Sequence, residues 1–290
     1  MIPTYLPETI AFASVVIISL CIGSFLNVVI YRLPLELSVV HPRSFCPHCK
    51  HPIAWHDNIP LVSFFVLRGQ CRHCRHAFSA RYLVVELLTG CLLTGLYVWL
   101  GWGVKLLVLG AFTACLIAAT FIDLDYRIIP DEMTLPGIVI GLIVSALFPA
   151  LHGVNTFWLG VRQSLLGILI GGGSLYLTGL IGNAIFRKES MGGGDVKLLA
   201  MAGAILGWKL VLLSFFLAPL LAVIPGLVVL ATTRSHEIPY GPFLSLALIV
   251  AMVRGPWILE RMGVSQILDT GMPALWHEIA AWWSQLRMHP

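Results

Sequence analysis

The sequence predicts an all-α protein that crosses a membrane about eight times and carries one small zinc-binding domain outside the bilayer. Of its 290 residues, 58% are hydrophobic and only 11% are charged, whereas soluble globular domains carry about 25% charged residues. Apolar runs of about 18 residues or more recur along the chain, which is the length that a helix needs to cross a lipid bilayer. The net charge of +4 is small and dispersed, so it gives no indication of nucleic-acid binding.

The charges around the first apolar run set the predicted orientation. No basic residue precedes this run and Arg32 follows it, whereas a secretory signal begins with basic residues. We therefore expect an uncleaved first span with a periplasmic N-terminus. Lys and Arg favour cytoplasmic loops, and in this orientation the cytoplasmic side holds 12 of the 18 Lys and Arg residues if Lys197, at the edge of the sixth span, is included. The eight predicted spans cover residues 10–31, 83–100, 105–123, 132–150, 158–186, 196–208, 210–231 and 240–258.

The chain divides into four predicted parts. Residues 1–31 form the first span, residues 32–82 a cytoplasmic domain, residues 83–258 the main membrane domain and residues 259–290 a C-terminal tail. The 32–82 segment is unlike a membrane span, because it holds seven Lys and Arg residues, six His residues and four of the seven Cys residues. In the tail, apolar and aromatic residues fall near helical spacing, which predicts an amphipathic helix at the membrane surface.

Two CxxC motifs in the cytoplasmic segment predict a metal site. Cys46 and Cys49 form the first motif and Cys71 and Cys74 the second, with 21 residues between them. Each motif brings two thiolates to one side of a tight turn, and four thiolates complete a tetrahedral zinc shell. Two disulfides or four unpaired thiols are the alternatives, but a cytoplasmic loop faces a reducing compartment. We expect structural zinc, because a closed four-sulfur shell leaves no position for a substrate.

Two aspartates at predicted helix ends form the candidate catalytic pair. Asp123 ends the third span and Asp195 precedes the sixth, and both are expected at the cytoplasmic face. A carboxylate at a membrane boundary is costly, and it is usually paired or functional. Two aspartates that share a proton can activate a water molecule and protonate a leaving amine. Three glycines at 192–194 would let a peptide backbone approach Asp195, and the dipole of the following helix favours its charged form.

Other roles for the charged residues at this face are open on the sequence alone. Asp195 could be a helix N-cap after a glycine turn, and Asp131 could cap the fourth span. Asp125 points away from the candidate pair on a continuing helix, so we expect a solvated or supporting acid. Lys197 could pair with Asp195 or mark the membrane boundary. Glu86, just inside the second span, is a buried acid whose partner the sequence does not identify.

Several motifs, taken in order, resemble those of the prepilin leader peptidases, which are intramembrane aspartyl proteases with a GxGD signature. No single motif is decisive, but the ordered set is specific and extends from about residue 23 to residue 243. The matching segments are Gly23–Pro34, the two CxxC motifs, Asn58-Ile59-Pro60, Ile122–Asp125, Gly192–Asp195 and Ile238–Phe243.

The resemblance implies a bifunctional type 4 prepilin leader peptidase/N-methyltransferase of the bacterial inner membrane. In that family two aspartates, which match Asp123 and Asp195, cleave a short basic leader from type IV prepilins or type II secretion pseudopilins at the cytoplasmic face. The same enzyme then methylates the new N-terminus with S-adenosylmethionine, and a four-cysteine domain is typical of such members. Residues 32–82 contain no glycine-rich nucleotide loop, so the residues that bind the methyl donor stay unassigned.

Two other functions fit parts of the sequence. A membrane transporter or channel could use boundary carboxylates and glycine-broken helices as cation or proton sites. However, no internal repeat of spans is visible, and the two aspartates are expected at one membrane face. The second alternative is a zinc-stapled membrane scaffold without catalytic activity. Cleavage of a prepilin peptide would separate the peptidase from both.

Overall fold

The computed structural model describes residues 6–187, 191–233 and 239–264, and these ranges contain α-helices, short 3-10 turns and no β-strand. The all-α prediction is therefore confirmed, whereas the predicted tail helix lies outside the described residues. The helices are α1 (Leu6–Arg32), α2 (Val62–Val66), α3 (Arg81–Leu100), α4 (Val104–Tyr126), α5 (Asp131–Leu147), α6 (Phe157–Phe186), α7 (Gly193–Leu206), α8 (Trp208–Thr233) and α9 (Gly241–Arg261).

The eight predicted spans correspond to the eight helices other than α2, but two of these helices are short. Six are long and apolar enough to cross a membrane. Helix α5 has 17 residues and α7 only 14, although a span of average length needs about 20. The reason for the short α7 is its position, because α4, α5, α6, α8 and α9 all contact it. Its residues from Leu198 to Ile205 are buried in protein, so α7 does not have to match the thickness of the lipid.

The long helices show the opposite distribution of apolar side chains. Ile17 of α1, Val98 of α3 and Leu169 of α6 are all more than half exposed. In water such surfaces would be unfavourable, but in a bilayer they face lipid chains of equal polarity. The composition of the chain is thus explained by its apolar outer surface as well as by its core.

Glycines bring α6 and α7 into close contact. A side chain at Gly167 would overlap the carbonyl oxygen of Gly203, and one at Gly171 would lie 2.5 Å from the Leu199 oxygen. Small residues of this kind let membrane helices approach at backbone distance. Of the three consecutive glycines in α6, Gly173 faces open space, so only part of that run contributes to the close contact. The tight contact fixes α7, the helix that carries Asp195.

Side-chain contacts bring several helix ends to one end of the bundle. Arg81, at the start of α3, forms an ion pair with Asp125 near the end of α4. Lys197 of α7 contacts Asp131 at the start of α5, with N···O distances of 2.7 Å. The four-cysteine domain, which lies between α1 and α3, is therefore at the same end as the C-terminus of α4 and the N-terminus of α7. At the opposite end, Ser145 of α5 bonds to the Ala204 oxygen of α7.

Candidate active site and metal centre

A cavity of ≈ 490 Å³ opens at this end of the bundle, and both candidate aspartates line it. Asp123 comes from the last turn of α4 and Asp195 from the first turn of α7. The other polar side chains of the wall are those of Arg127, Thr178 of α6 and Tyr240, which precedes α9. The volume falls within the roughly 300–1,000 Å³ of small-molecule and substrate sites. The structure thus brings together the two acids that the sequence places 72 positions apart.

The Asp123 carboxylate is held by the backbone of the last helix. It is 7% exposed, and its Oδ2 accepts a hydrogen bond of 2.9 Å from the N–H of Gly241, the first residue of α9. A Cβ at position 241 would lie 2.7 Å from that same oxygen, so only glycine lets the N–H approach without a shift. The contact therefore fixes the orientation of the Asp123 carboxylate at the cavity wall.

Asp195 is less tightly held than Asp123. Its Oδ1 is buried and has no hydrogen-bond partner among the described residues. Helix α7 begins at Gly193 with Gly192 as N-cap, so the N-cap role for Asp195 is wrong. The carboxylate instead lies in the first turn, where the helix dipole still favours negative charge. A buried carboxylate oxygen without a partner is costly, and it is one mark of a site built for another molecule.

Two charged groups near the cavity, Lys197 and Asp125, are engaged elsewhere, whereas Arg127 lines the cavity and interacts electrostatically with Asp123. Lys197 pairs with Asp131, so its predicted pairing with Asp195 is wrong. Asp125 pairs with Arg81, whose guanidinium also donates to the Phe121 carbonyl. This agrees with its expected role as a supporting acid. Among the described residues Asp195 forms no ion pair, so its carboxylate is left to interact with Asp123 and with a ligand.

Tyr240 is a cavity residue that the sequence did not single out as functional. Burial raises the pKa of its hydroxyl to about 12, and the nearby Asp195 carboxylate contributes to the shift. The phenol therefore stays protonated and can donate a hydrogen bond into the cavity. The only sequence signal was its place in the segment Ile238–Phe243, which resembled the entry to the last span of a leader peptidase.

The four predicted cysteines form one cluster. Their sulfur atoms all lie within 4.8 Å of one another, with 3.8 Å between Cys46 and Cys74 and 3.9 Å between Cys49 and Cys71. A disulfide would require about 2.05 Å, so the disulfide alternative is wrong. Zinc–sulfur bonds of about 2.3 Å in a tetrahedron give sulfur–sulfur distances of about 3.8 Å. The cluster therefore has the donor set and the size that zinc requires.

The two CxxC motifs have the same backbone arrangement. The N–H of Cys46 donates to the His51 carbonyl, and the N–H of Cys71 donates equivalently to that of His76. The imidazoles lie against one another outside the sulfur cluster, as stacked or tilted pairs, so none replaces a sulfur ligand. Backbone N–H groups of Cys74 and His73 lower the pKa of the Cys71 thiol to about 7. This favours the metal-binding thiolate form at Cys71, whereas burial and the neighbouring sulfur atoms raise the pKa of the Cys74 thiol to about 11.

The chain matches two family models. The bacterial peptidase A24 N-terminal domain matches residues 17–100, and the type IV leader peptidase family matches residues 110–227. The prepilin leader peptidase/N-methyltransferase of Aeromonas hydrophila is 38% identical over 273 residues, which are 84% of this chain and 91% of the relative. The protein of the same name from Pseudomonas aeruginosa is 34% identical over 274 residues, 84% and 90% of the two chains. The chain belongs to the type IV leader peptidase family.

The alignment with a further relative in the leader peptidase family covers a smaller part of that relative. The prepilin leader peptidase/N-methyltransferase of Myxococcus xanthus is 40% identical over 217 residues, which are 75% of this chain and 62% of that relative. No solved structure matches the chain. The family assignment confirms the resemblance and the expected enzyme class, a peptidase with N-methyltransferase activity. It does not favour a transporter or channel.

The boundaries of the two leader peptidase family models do not coincide with the limits of the aspartate cavity. The N-terminal match joins α1, the four-cysteine domain and α3. The peptidase match ends at residue 227, which is before α9 and therefore before Gly241. The hydrogen bond from Gly241 to Asp123 shows that α9 is nevertheless part of the cavity.

Proposed function

We propose that this protein removes the leader from type IV prepilins or type II secretion pseudopilins by means of Asp123 and Asp195, and then methylates the new N-terminus. The observation that carries the peptidase part is the common cavity, in which the two aspartates meet from different helices. The names of the relatives support the same activity. S-adenosylmethionine is the methyl donor that the second activity requires.

The chemistry of the cavity follows from its two carboxyl groups. One ionised aspartate removes a proton from a water molecule, and the oxygen of that water attacks the carbonyl carbon of the scissile bond. The other aspartate, protonated, gives its proton to the leaving amine as the C–N bond breaks. The two acids titrate as a pair, so the shared proton belongs to both of them. The Tyr240 hydroxyl is placed to donate a hydrogen bond to the substrate.

The peptidase mechanism is tested with a matched pair of conservative variants. Asp123→Asn and Asp195→Asn each remove one ionisable group at nearly constant volume, and Asp125→Asn does the same two positions away. Cleavage of a full-length prepilin in nanodiscs should be abolished in the first two and retained in the third. Methylation of a pre-cleaved peptide should continue in all three. Persistent cleavage in Asp123→Asn or Asp195→Asn would rule out the pair.

We further propose that the protein lies in the bacterial inner membrane with its N-terminus in the periplasm and both cavity and cysteine domain in the cytoplasm. The excess of Lys and Arg on the proposed cytoplasmic side supports this orientation. A protease added to spheroplasts should cut a tag placed before Met1. A tag that is cut only after the membrane is opened would reverse the orientation.

The four-cysteine cluster is proposed to hold structural zinc. Cys46, Cys49, Cys71 and Cys74 would supply all four ligands and leave the ion no open position. In this role the ion holds the cysteine domain in its folded form, because a segment of this size has few large apolar residues to form a core. Metal analysis of the purified protein should give one zinc per chain.

A further inference from the structure

Another pair of cavities lies between α1, α3 and the four-cysteine domain. The first measures ≈ 160 Å³ and shares no lining residue with the aspartate cavity. A second, of ≈ 430 Å³, adjoins it. Small-molecule sites measure roughly 300–1,000 Å³, so the two together can hold a molecule the size of a nucleoside-bearing cofactor. The residues that line both cavities are Ser24, Val28, Arg32, Ser44 and Asn58.

Glu86 supplies a buried negative charge to the wall of the smaller cavity. It is 9% exposed and forms no ion pair with any residue that the structure describes. Its Oε2 accepts one hydrogen bond, of 2.8 Å, from the N–H of Leu61. Helix α1 packs closely behind it, since a Cβ at Gly23 would lie 2.8 Å from the Glu86 Cα. The carboxylate is thus held in place, yet it has no countercharge among the described residues.

Arg32 supplies a buried positive charge to both cavities. It is 5% exposed, and its guanidinium donates to the carbonyl oxygens of Ser38 and Arg43 rather than to a carboxylate. The other acid of the smaller cavity, Asp57, is already paired with Arg72 at 2.5 Å and 2.7 Å. The site therefore offers one buried anion and one buried cation, each without an opposite charge from the protein. A ligand that carries both charges would satisfy them together.

We propose that these adjoining cavities are the methyl-donor site and that Glu86 and Arg32 bind S-adenosylmethionine, with Glu86 facing the sulfonium and Arg32 the carboxylate. The proposal rests on the proposed N-methyltransferase function. A sulfonium has no N–H to donate, so it is stabilised by a carboxylate and by aromatic ring faces. Tyr82 lines the smaller cavity and lies one helical turn before Glu86 on the same face of α3, whereas the Phe45 ring of that cavity already contacts Arg32 and Lys50.

S-adenosylmethionine carries a positive charge on sulfur and its product does not. This difference can distinguish a Glu86 that binds the sulfonium from a Glu86 with a purely structural role. When the methyl group moves, the acceptor nitrogen forms an N–C bond as the S–C bond breaks, and the electron pair stays on sulfur. The amine releases one proton to solvent, and neutral-sulfur S-adenosylhomocysteine remains. A Glu86 that faces the sulfonium will therefore distinguish donor from product. A Glu86 that only anchors the Leu61 N–H will not, and Gln at this position can still accept that bond.

The experiment measures equilibrium binding of S-adenosylmethionine and S-adenosylhomocysteine to the full-length zinc-loaded protein by calorimetry. The Glu86→Gln variant should weaken binding of S-adenosylmethionine by about tenfold or more and leave S-adenosylhomocysteine nearly unchanged. Glu132→Gln is the matched control, because Glu132 is an exposed acid at the start of α5 and lies outside both cavities. This variant should bind both ligands as tightly as the wild type does. Val28→Phe fills the shared wall without changing charge, so it should weaken both ligands alike.

Two results would overturn the assignment: an unchanged preference for S-adenosylmethionine in Glu86→Gln, or wild-type binding of both ligands by Val28→Phe. The second test remains decisive even where Glu86→Gln does not fold. Prepilin cleavage and peptide methylation, measured on the same samples, separate the two proposals. Donor binding that depends on Glu86 without any methylated product in wild type would contradict the proposed methyltransferase function but not the site. Methylation that survives in Glu86→Gln at the wild-type rate would contradict the site but not the function.

Discussion

The glycines before Asp195 should differ sharply in their tolerance of a methyl group. A Cβ at Gly194 would lie 2.9 Å from the Ile129 Cβ and 3.2 Å from the Ile129 backbone nitrogen. Carbon atoms in contact normally lie about 3.5–4.0 Å apart, so the two segments would have to separate by up to about 1 Å. Ile129 is 7% exposed and has little space in which to move. In contrast, a Cβ at Gly193 would meet nothing within 4 Å.

The expected cost follows from these distances. Overpacking of this kind costs about 1–3 kcal/mol, and a shift of about 1 Å in a catalytic group lowers the rate by about 100-fold. We therefore expect Gly194→Ala to lower kcat/KM for prepilin cleavage by about 10- to 100-fold. Gly193→Ala should remain within about threefold of wild type. This difference also explains why the second position of a GxGD motif, which is Gly193 here, is not restricted to one residue type.

The assay is cleavage of a full-length prepilin by protein in nanodiscs, with initial rates measured over a range of substrate concentrations. Methylation of a pre-cleaved peptide serves as the internal control, because the proposed methyl-donor cavities share no lining residue with the aspartate cavity. Equal losses in Gly193→Ala and Gly194→Ala would refute the reasoning, as would a wild-type rate in Gly194→Ala. Loss of methylation together with cleavage would indicate a general folding defect.

Three further predictions concern the metal, the helix contact and the pH dependence. Cys71→Ser should release the zinc and abolish methylation, whereas Cys91→Ser, at an exposed thiol in α3, should retain both by metal analysis and mass spectrometry. Gly203→Ala should destabilise the protein by about 1–3 kcal/mol in thermal unfolding, whereas Gly173→Ala should be neutral or stabilising by up to about 1 kcal/mol. Burial lowers the pKa of His152 below its usual value of 6.5, so the unfolded chain takes up this proton first and stability falls as the pH drops below 6.5. The decline in melting temperature between about pH 7.5 and pH 5 should be smaller in His152→Gln, and an identical decline would contradict the prediction.

Local patterns in the sequence predicted the parts of the site that short segments determine. The cysteine cluster depends on two motifs whose turns are fixed by neighbouring residues, and its geometry agrees with the prediction. The helices were found because apolar length is visible in a single stretch of sequence. The same signal could not distinguish burial in protein from burial in lipid, so α5 and α7 were assigned as full spans.

Contacts between distant segments could not be predicted from the sequence. The partner of Lys197 is 66 residues away, at Asp131, and the partner of Asp125 is 44 residues away, at Arg81. In both cases several basic and acidic residues compete for pairing, and only the packing of the helices decides between them. The sequence identifies no partner for Glu86, and the cavity that it lines is formed by α1, α3 and the cysteine domain together, which no single segment predicts.

The bond between Gly241 and Asp123 joins residues 118 positions apart, and this has a consequence for biosynthesis. Helices enter the membrane in the order in which the ribosome makes them, so both aspartates are embedded well before α9 emerges. Until then the Asp123 carboxylate has no backbone N–H to hold it. A nascent or prematurely terminated chain therefore carries both acids without this hydrogen bond, and we expect proteolytic activity only after the last helix is inserted.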